Sequence, residues 1–196
     1  MIITVTLNPA IDQTLVVPKF VAGDTIRVKS SRFDPGGKGI NVSRVVSELG
    51  GESIAMGFAP GGLGRYIEQT LESQGIDTDF VHTRGETRTN ITLLDESRHI
   101  HTILSDPGPV INKDSIVSLR KRIKRRLRPG DWLVLAGSIP PPLTGEIYAD
   151  LIREAADIGA HSVLDADGVA MKTGALAHAP RRKLFRCHRT HEWHSR

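Results

Sequence analysis

Residues 36–58, GGKGINVSRVVSELGGESIAMGF, decide the fold because they join a glycine-rich loop to a helical segment and then to a strand. The helical segment is predicted to end at Gly50, which stands where a C-terminal cap belongs. Its predicted buried face has apolar residues at helical spacing, namely Val42, Val45, Val46 and Leu49. The next run, ESIAMGF, predicts a strand.

Strands and helices alternate along most of the chain, which predicts a doubly wound α/β domain with a mostly parallel sheet. The other segments follow this order, with strands at 2–7, 131–137 and 161–167 and helices at 61–75, 116–127 and 144–159. Two pairs of β-rich runs, within 13–33 and 87–104, interrupt the alternation. They predict a small second sheet that acts as a lid.

Composition and charge exclude several classes of protein. The chain has 196 residues, of which 39% are hydrophobic and 24% charged, as in a soluble globular protein. No run reaches the roughly 18 apolar residues of a membrane span, and no secretion signal is seen. With a single cysteine, Cys187, the chain is expected in the cytoplasm. The formal net charge of +4 lies mostly in the tail, residues 181–196.

The loop around Lys38 does not match either common nucleotide-binding pattern. A Walker A loop would need glycine in place of Arg32 and a hydroxyl residue in place of Gly39. A dinucleotide loop would need glycine in place of Val42. Two interpretations remain: a site for a small anionic or polyhydroxy ligand at a helix N-terminus, or a structural turn with Asn41 as the N-cap.

Five motifs together resemble the ribokinase-like carbohydrate kinases of the phosphofructokinase B type. They occur in the family's order, as TLNPAID (6–12), GGKGINVS (36–43), TRTN (87–90), GSIPP (137–141) and LDADG (164–168). The resemblance is to the branch of 1-phosphofructokinase and tagatose-6-phosphate kinase, and it covers residues 1–180 only. It implies a ribokinase-like α/β domain with a β-sheet lid.

The resemblance also implies a function and its cofactors. Members of this branch transfer the γ-phosphate of ATP, with Mg²⁺, to a ketohexose phosphate: fructose 1-phosphate, fructose 6-phosphate or tagatose 6-phosphate. The implied substrate-binding residues are Asp12, Gly36, Gly37, Lys38, Gly39, Asn41, Arg88, Asn90 and Ser138. Asp165 and Asp167 are expected near the phosphates or the metal, or else as solvated loop acids. Family members commonly form homodimers through the lid.

The catalytic motif of the family, Gly-Ala-Gly-Asp, does not occur in this sequence. The C-terminal part of the fold is therefore expected to be missing, and residues 181–196 are expected to be an unrelated basic tail, disordered and produced by truncation or a frameshift. Catalysis by this chain alone is expected to be impaired or absent. The alternative interpretation is a non-catalytic fragment that binds a sugar phosphate or dimerises.

Two further interpretations are weaker. Cys187 and three nearby histidines, His188, His191 and His194, have a spacing compatible with zinc, but no second ligand pair accompanies them. The stretch RKRIKRRLR (120–128) suggests nucleic-acid binding. Because an apolar stripe continues through it and no aromatic residue interrupts it, the charges fit one solvated helix face better, and no specific nucleic-acid binding is expected.

Overall fold

A computed structural model describes residues 1–177 and consists of a five-stranded sheet with helices on both faces and a four-stranded second sheet. The strands of the main sheet are β1 (Ile2–Thr6), β4 (Ser53–Pro60), β5 (Asp77–Thr83), β8 (Trp132–Ala136) and β9 (His161–Asp165). The strands of the second sheet are β2 (Ala10–Val17), β3 (Ser30–Gly36), β6 (Arg88–Asp95) and β7 (Ile100–Leu104). The helices are α1 (Lys38–Glu48), α2 (Gly61–Ser73), α3 (Lys113–Arg126), α4 (Glu146–Ile158) and α5 (Gly168–Ala177).

The main sheet has the order β5-β4-β1-β8-β9, and all of its neighbouring strands are parallel. Alternate residues of one strand pack on opposite faces: Met56 and Phe58 lie in the cluster with α3 and α4, whereas Ala55 and Ala59 lie in the cluster with α1 and α2. Burial on both faces explains why β8 is continuously apolar and why β1 consists only of β-branched residues. The predicted doubly wound α/β fold is confirmed.

The second sheet has the order β3-β2-β6-β7, and we call it the lid. Its two antiparallel pairs, β2 with β3 and β6 with β7, are the predicted pairs. They are joined by a parallel pairing of β2 with β6. The predicted strand 25–33 is wrong at its start, because residues 25–29 are not strand and the strand continues instead to Gly36. Pro35 is tolerated there because β3 is an edge strand.

Helix α1 buries a different face from the one predicted. Its buried residues are Gly39, Ile40 and Ser43, whereas Val45 is 53% and Leu49 82% exposed. The cause is a close approach of α1 to β1. A Cβ atom added to Gly39 would lie 3.0 Å from the backbone oxygen of Val5, so only small residues fit at this contact. The helix does end before Gly50, whose φ of 75° is that of the predicted cap.

Strand β5 is absent from the sequence-based prediction, because only Phe80 and Val81 of its seven residues are buried. The predicted stripe of α3 is confirmed, since Leu119, Ile123 and Leu127 are in the core and Ile116 packs against it. Among residues 1–177, no helix is both long enough and apolar enough to cross a membrane. The tail and the histidines proposed as zinc ligands lie outside the described residues.

Candidate substrate-binding site

The candidate site lies where the carboxyl ends of the main-sheet strands meet the lid. Asn8 follows β1, Ser138 follows β8 and Asp165 ends β9, while Asp12 and Arg88 lie on the lid strands β2 and β6. In open α/β sheets, ligands bind at this edge, outside the carboxyl ends of the strands. The fold therefore brings most of the residues chosen from the sequence to one edge of the sheet.

Asp12 is held from both neighbouring strands of the lid. It lies in β2, opposite Asn90 of β6 and Asp34 of β3. The Asn90 side-chain amide donates a hydrogen bond of 2.9 Å to Asp12 Oδ1. A Cβ atom on Gly36 would lie 2.2 Å from Asp12 Oδ2. Gly36 is therefore the residue that makes room for this carboxylate.

The other loop glycines have separate structural reasons. Gly37 is the N-cap of α1 and has a φ of 135°, a conformation that favours glycine. A Cβ atom on Gly39 would lie 2.5 Å from Thr6 Oγ1. The prediction that Asn41 caps the helix is wrong, because Asn41 is exposed in the first turn and its backbone N–H donates to Gly37 O.

Lys38 lies between Asp165, the last residue of β9, and Asp167, which follows it. Its Nζ is 3.4 Å from Asp165 Oδ1 and 3.3 Å from Asp167 Oδ2. Lys38 and Asp165 are half-exposed and Asp167 is almost fully exposed, so each contact is worth little by itself. The pairing nevertheless brings Lys38, predicted to bind the substrate, and the two acids, predicted near the phosphates or the metal, into one cluster. The two acids are therefore not simply solvated.

Arg88 is the most constrained side chain of the site. Its Nη1 donates to Asp106 O at 2.9 Å, and its Nη2 donates to Asn8 O at 3.2 Å and to Ser138 Oγ at 3.1 Å. Burial lowers the pKa of Arg88, while the carboxylates of Asp12 and Asp106 act in the opposite direction. The guanidinium stays charged, because arginine titrates far above neutral pH.

The loop after β8 is held to the end of β9 and to the core. Gly137 N–H donates to Asp165 O at 2.9 Å, and the Tyr148 hydroxyl donates to Gly137 O at 3.1 Å. Tyr148 is fully buried, and its burial raises the pKa of its hydroxyl well above the ordinary value. Ser138 therefore lies in a loop whose preceding residue, Gly137, is fixed by hydrogen bonds to β9 and to buried Tyr148.

Asn8 was not chosen from the sequence, although it lies within the quoted motif TLNPAID. It is 4% exposed, and its Nδ2 donates to Pro107 O at 3.0 Å and to Ser138 Oγ at 3.3 Å. The sequence signal that could have found it is its place, immediately after the central buried strand β1. A polar side chain there faces the ligand edge of the sheet.

Hydrogen-bonding capacity is left unused at this site. Among the described residues, the buried side-chain atoms without a protein partner are Thr6 Oγ1, Asn8 Oδ1, Thr83 Oγ1, Arg88 Nε and Asn90 Oδ1. Three of the five belong to residues of the site. Buried polar groups are normally paired, so three unpaired atoms at one site indicate that its residues are arranged for ligand binding at a cost in stability.

Glu86 is a second residue that the sequence did not single out. Its carboxylate accepts hydrogen bonds from the backbone N–H groups of Gly62, Leu63 and Thr87. Partial burial raises the pKa of Glu86, but these three donors outweigh burial and leave the pKa lowered. The N-terminus of α2 is therefore occupied by the protein's own carboxylate.

Three arginines of α3 are paired with acidic side chains of the protein. Arg122 and Arg126 bind the buried carboxylate of Asp79 at 2.8 and 3.0 Å, and Arg120 binds Glu154. The expectation of a purely solvated face is corrected, since these arginines tie α3 to β5 and α4.

Comparison with known proteins identifies the relatives. Residues 5–179 match the family model described as pfkB family carbohydrate kinase. A tagatose-6-phosphate kinase of Staphylococcus epidermidis is 36% identical over 172 residues, covering 88% of this chain and 55% of that protein. The chain thus spans about half the length of the curated relatives that it matches.

Solved structures give the same result for the fold. Phosphofructokinase-2 from Escherichia coli in complex with fructose-6-phosphate superposes with a TM-score of 0.84 at 28% identity, covering 90% of this chain and 58% of that one. The tetrameric inhibited form of the same enzyme gives a TM-score of 0.83 at 28% identity, with coverages of 89% and 57%. The ribokinase-like fold expected from the sequence is confirmed.

Proposed function

The chain belongs to the pfkB family of carbohydrate kinases, and we propose that it provides the sugar-phosphate-binding part of a ketohexose-phosphate kinase. The reaction would transfer the γ-phosphate of ATP to a hydroxyl of fructose 1-phosphate, fructose 6-phosphate or tagatose 6-phosphate. The single observation that carries this proposal is the placing of Arg88 and Ser138 beside the Asp12–Asn90 pair at the ligand edge of the sheet.

In this proposal the two groups of side chains bind different parts of the substrate. The Arg88 guanidinium and the Ser138 hydroxyl bind the phosphate, because a planar, permanently charged donor matches phosphate oxygens. Lys38 adds a point charge nearby. Asp12, fixed by Asn90, accepts hydrogen bonds from sugar hydroxyls. The backbone of Gly36, Gly37 and Gly39 contacts the sugar. Asn41 also belongs to the proposed set, but it is exposed in the first turn of α1 and has the least structural support.

ATP and Mg²⁺ are implied by the family, and the residues present fit the metal in part. Asp165 and Asp167 both approach Lys38 Nζ, so their carboxylates lie close to each other. Mg²⁺ is usually bound by one or two carboxylates together with phosphate oxygens, so these two residues would hold it. When bound, the ion would neutralise charge on the phosphates. No catalytic base is assigned, because the sequence lacks the family's Gly-Ala-Gly-Asp motif.

A second function, dimerisation through the lid, is supported by a specific observation. Phe33 on β3 and Ile103 and Leu104 on β7 are 54%, 57% and 58% exposed. These strands are also the two open edges of the lid sheet. Exposed apolar side chains next to an unpaired strand edge favour pairing with a second copy.

Ligand binding and phosphate transfer test the proposal separately. Calorimetric titration with the three sugar phosphates, and with free fructose as the phosphate-free control, measures binding. A coupled ADP-release assay with ATP and Mg²⁺ measures transfer. Binding of a sugar phosphate without ADP release would support the non-catalytic alternative, and absence of binding to all three would overturn the proposal.

A further inference from the structure

Asn8 joins three parts of the site and has no role in the substrate-binding set described above. It follows β1, lies buried beneath Ser138, and touches the loop 106–108. Its backbone carbonyl accepts a hydrogen bond from Arg88, and its side chain donates one to Ser138. The side chain can therefore be changed without removing the backbone contact to Arg88.

The orientation of the Asn8 amide is fixed by its neighbours. Pro107 O can only accept, and it lies 3.0 Å from Asn8 Nδ2. The flipped amide would set two carbonyl oxygens against each other at that distance. The orientation has a cost, because Asn8 Oδ1 is buried against Gly108 without a partner. A buried acceptor left unpaired is unfavourable, so the nitrogen is directed at Pro107 and Ser138 at the expense of stability.

This orientation determines what the Ser138 hydroxyl can do. A serine hydroxyl has two acceptor lone pairs and one hydrogen. Ser138 Oγ receives Asn8 Nδ2 at 3.3 Å and Arg88 Nη2 at 3.1 Å, and both of these groups are donors only. Both lone pairs are then in use, so the hydrogen must be donated to a third group. Ser138 is exposed, so that group comes from the open side of the site.

We propose that Asn8 is a positioning residue that keeps the Ser138 hydroxyl as a hydrogen-bond donor toward a ligand oxygen. The ligand is of a class rich in strong acceptors and poor in donors, as a phosphate dianion is. A ligand group that could only donate would find no free lone pair on Ser138. The proposal rests on the proposed function, because it takes the sugar phosphate as the ligand that receives this bond.

The test is a double-mutant cycle of binding, measured by calorimetric titration with fructose 6-phosphate and, separately, tagatose 6-phosphate. Ser138→Ala removes the donor and is expected to weaken binding about tenfold, the usual effect of losing a hydrogen bond to a charged group. Asn8→Ala frees the Ser138 hydroxyl to rotate and is expected to weaken binding about three- to tenfold. Because Asn8 acts through Ser138, adding Asn8→Ala to Ser138→Ala should change the affinity by less than about twofold.

Two further variants separate positioning from folding. Asn8→Asp keeps the size of the side chain but replaces the donor by a charged acceptor, which opposes Pro107 O, draws the Ser138 hydrogen away and repels phosphate. Binding should therefore weaken at least as much as in Asn8→Ala. Asn112→Ala removes a different structural asparagine contact, the helix cap to Ser115 N–H, and should leave ligand affinity unchanged. If the Asn8 variants do not fold, Ser138→Ala decides the matter, because binding as tight as that of the wild type would show that the exposed Ser138 donates no hydrogen bond to the ligand.

The outcomes distinguish this proposal from the one on which it rests. If the wild-type chain binds neither sugar phosphate, the proposed function fails and with it the ligand assumed here. If the wild type binds, but Asn8→Ala and Asn8→Asp bind equally well, the positioning role is overturned and the function stands. A full additional loss from Asn8→Ala in the Ser138→Ala background would also overturn it, because Asn8 would then act independently of Ser138.

Discussion

Arg88, on lid strand β6, donates a hydrogen bond of 3.1 Å to Ser138, which follows strand β8 of the main sheet. The two residues are 50 positions apart in sequence and belong to different sheets. This contact connects the lid to the ligand edge of the main sheet. It makes the position of the lid and the geometry of the candidate phosphate site depend on the same side chains.

The space around Asp12 gives a prediction about Gly36. In Gly36→Ala the new methyl group would meet Asp12 Oδ2 at 2.2 Å, so the carboxylate has to move and its bond to Asn90 is strained. Sugar-phosphate affinity should fall about tenfold or more, the cost of one lost charged hydrogen bond, as measured by calorimetric titration. The matched control is Gly62→Ala, whose added Cβ meets nothing closer than 3.8 Å. Equal affinity in both variants would contradict this account of Gly36.

The carboxylate of Glu86 predicts a pH-dependent stability. Its pKa in the folded chain is lowered from the ordinary value of 4.5 by the N–H donors of Gly62, Leu63 and Thr87, which outweigh the opposing effect of burial. A lowered folded-state pKa means that the stabilisation is complete above pH 4.5 and is lost as the pH falls through the folded value.

The variant Glu86→Gln removes the charge but keeps the shape. Wild type should be more stable than the variant at pH 7 in urea denaturation, and the difference should shrink as the pH is lowered below 4.5. A stability difference that is constant from pH 7 to pH 3 would show that the charge of Glu86 contributes nothing at the N-terminus of α2.

Asp79 is predicted to be the electrostatic link between β5 and α3. Its side chain is 8% exposed and binds Arg122 and Arg126. Partial burial raises the pKa of Asp79, but the hydrogen bonds and charges of the two arginines leave it lowered. Asp79→Ala should destabilise the chain by about 1–2 kcal/mol, since the half-exposed arginines can be hydrated once released.

The control for Asp79 is Arg125→Ala. Arg125 approaches Asp79 at 3.6 Å and is 68% exposed, so its removal should cost less than about 0.5 kcal/mol. Chemical denaturation of the two variants in parallel measures the difference. A loss of stability in Arg125→Ala as large as that in Asp79→Ala would contradict this account, because the pairs of Asp79 with Arg122 and Arg126 would then stabilise the chain no more than an exposed ion pair does.

The exposed apolar residues of the lid predict a dimer that depends on Ile103. Burying an isoleucine side chain is worth about 1.5–3 kcal/mol, so Ile103→Ser should weaken self-association about tenfold or more. Sedimentation equilibrium of wild type and variant measures the dissociation constant. His101→Ser on the same strand is the matched polar control. A wild-type chain that stays monomeric at about 100 μM would overturn the dimer proposal.

Much of the fold could be predicted from the sequence because the main sheet is buried on both faces. Strand β8 is a continuous apolar run, β1 consists of β-branched residues, and α3 carries a regular apolar stripe. The buried face of α1 could not be predicted in this way. The contact there is made by Gly39 and Ser43, small residues that hydrophobic periodicity does not detect.

The sequence predicted the site residues that lie in a recognised motif. It did not predict the contacts between residues that are far apart in the chain. Asp12, Arg88 and Ser138 lie in motifs that the resemblance identified, and the fold brings them to one edge. The pairing of Lys38 with Asp165 joins residues 127 positions apart, and no spacing rule gives it. Asn8 was missed because its role depends on the loop 106–108 and Ser138, which only the folded chain brings together.

The most direct test of the central claim is calorimetric titration of the wild-type chain and of Arg88→Ala with fructose 1-phosphate, fructose 6-phosphate, tagatose 6-phosphate and free fructose. The account predicts saturable binding of at least one sugar phosphate by the wild type and weaker binding of free fructose. In Arg88→Ala the preference for the phosphorylated sugar should fall about tenfold or more. Equal binding of sugar phosphate by both proteins, or no binding by the folded wild type, would contradict it.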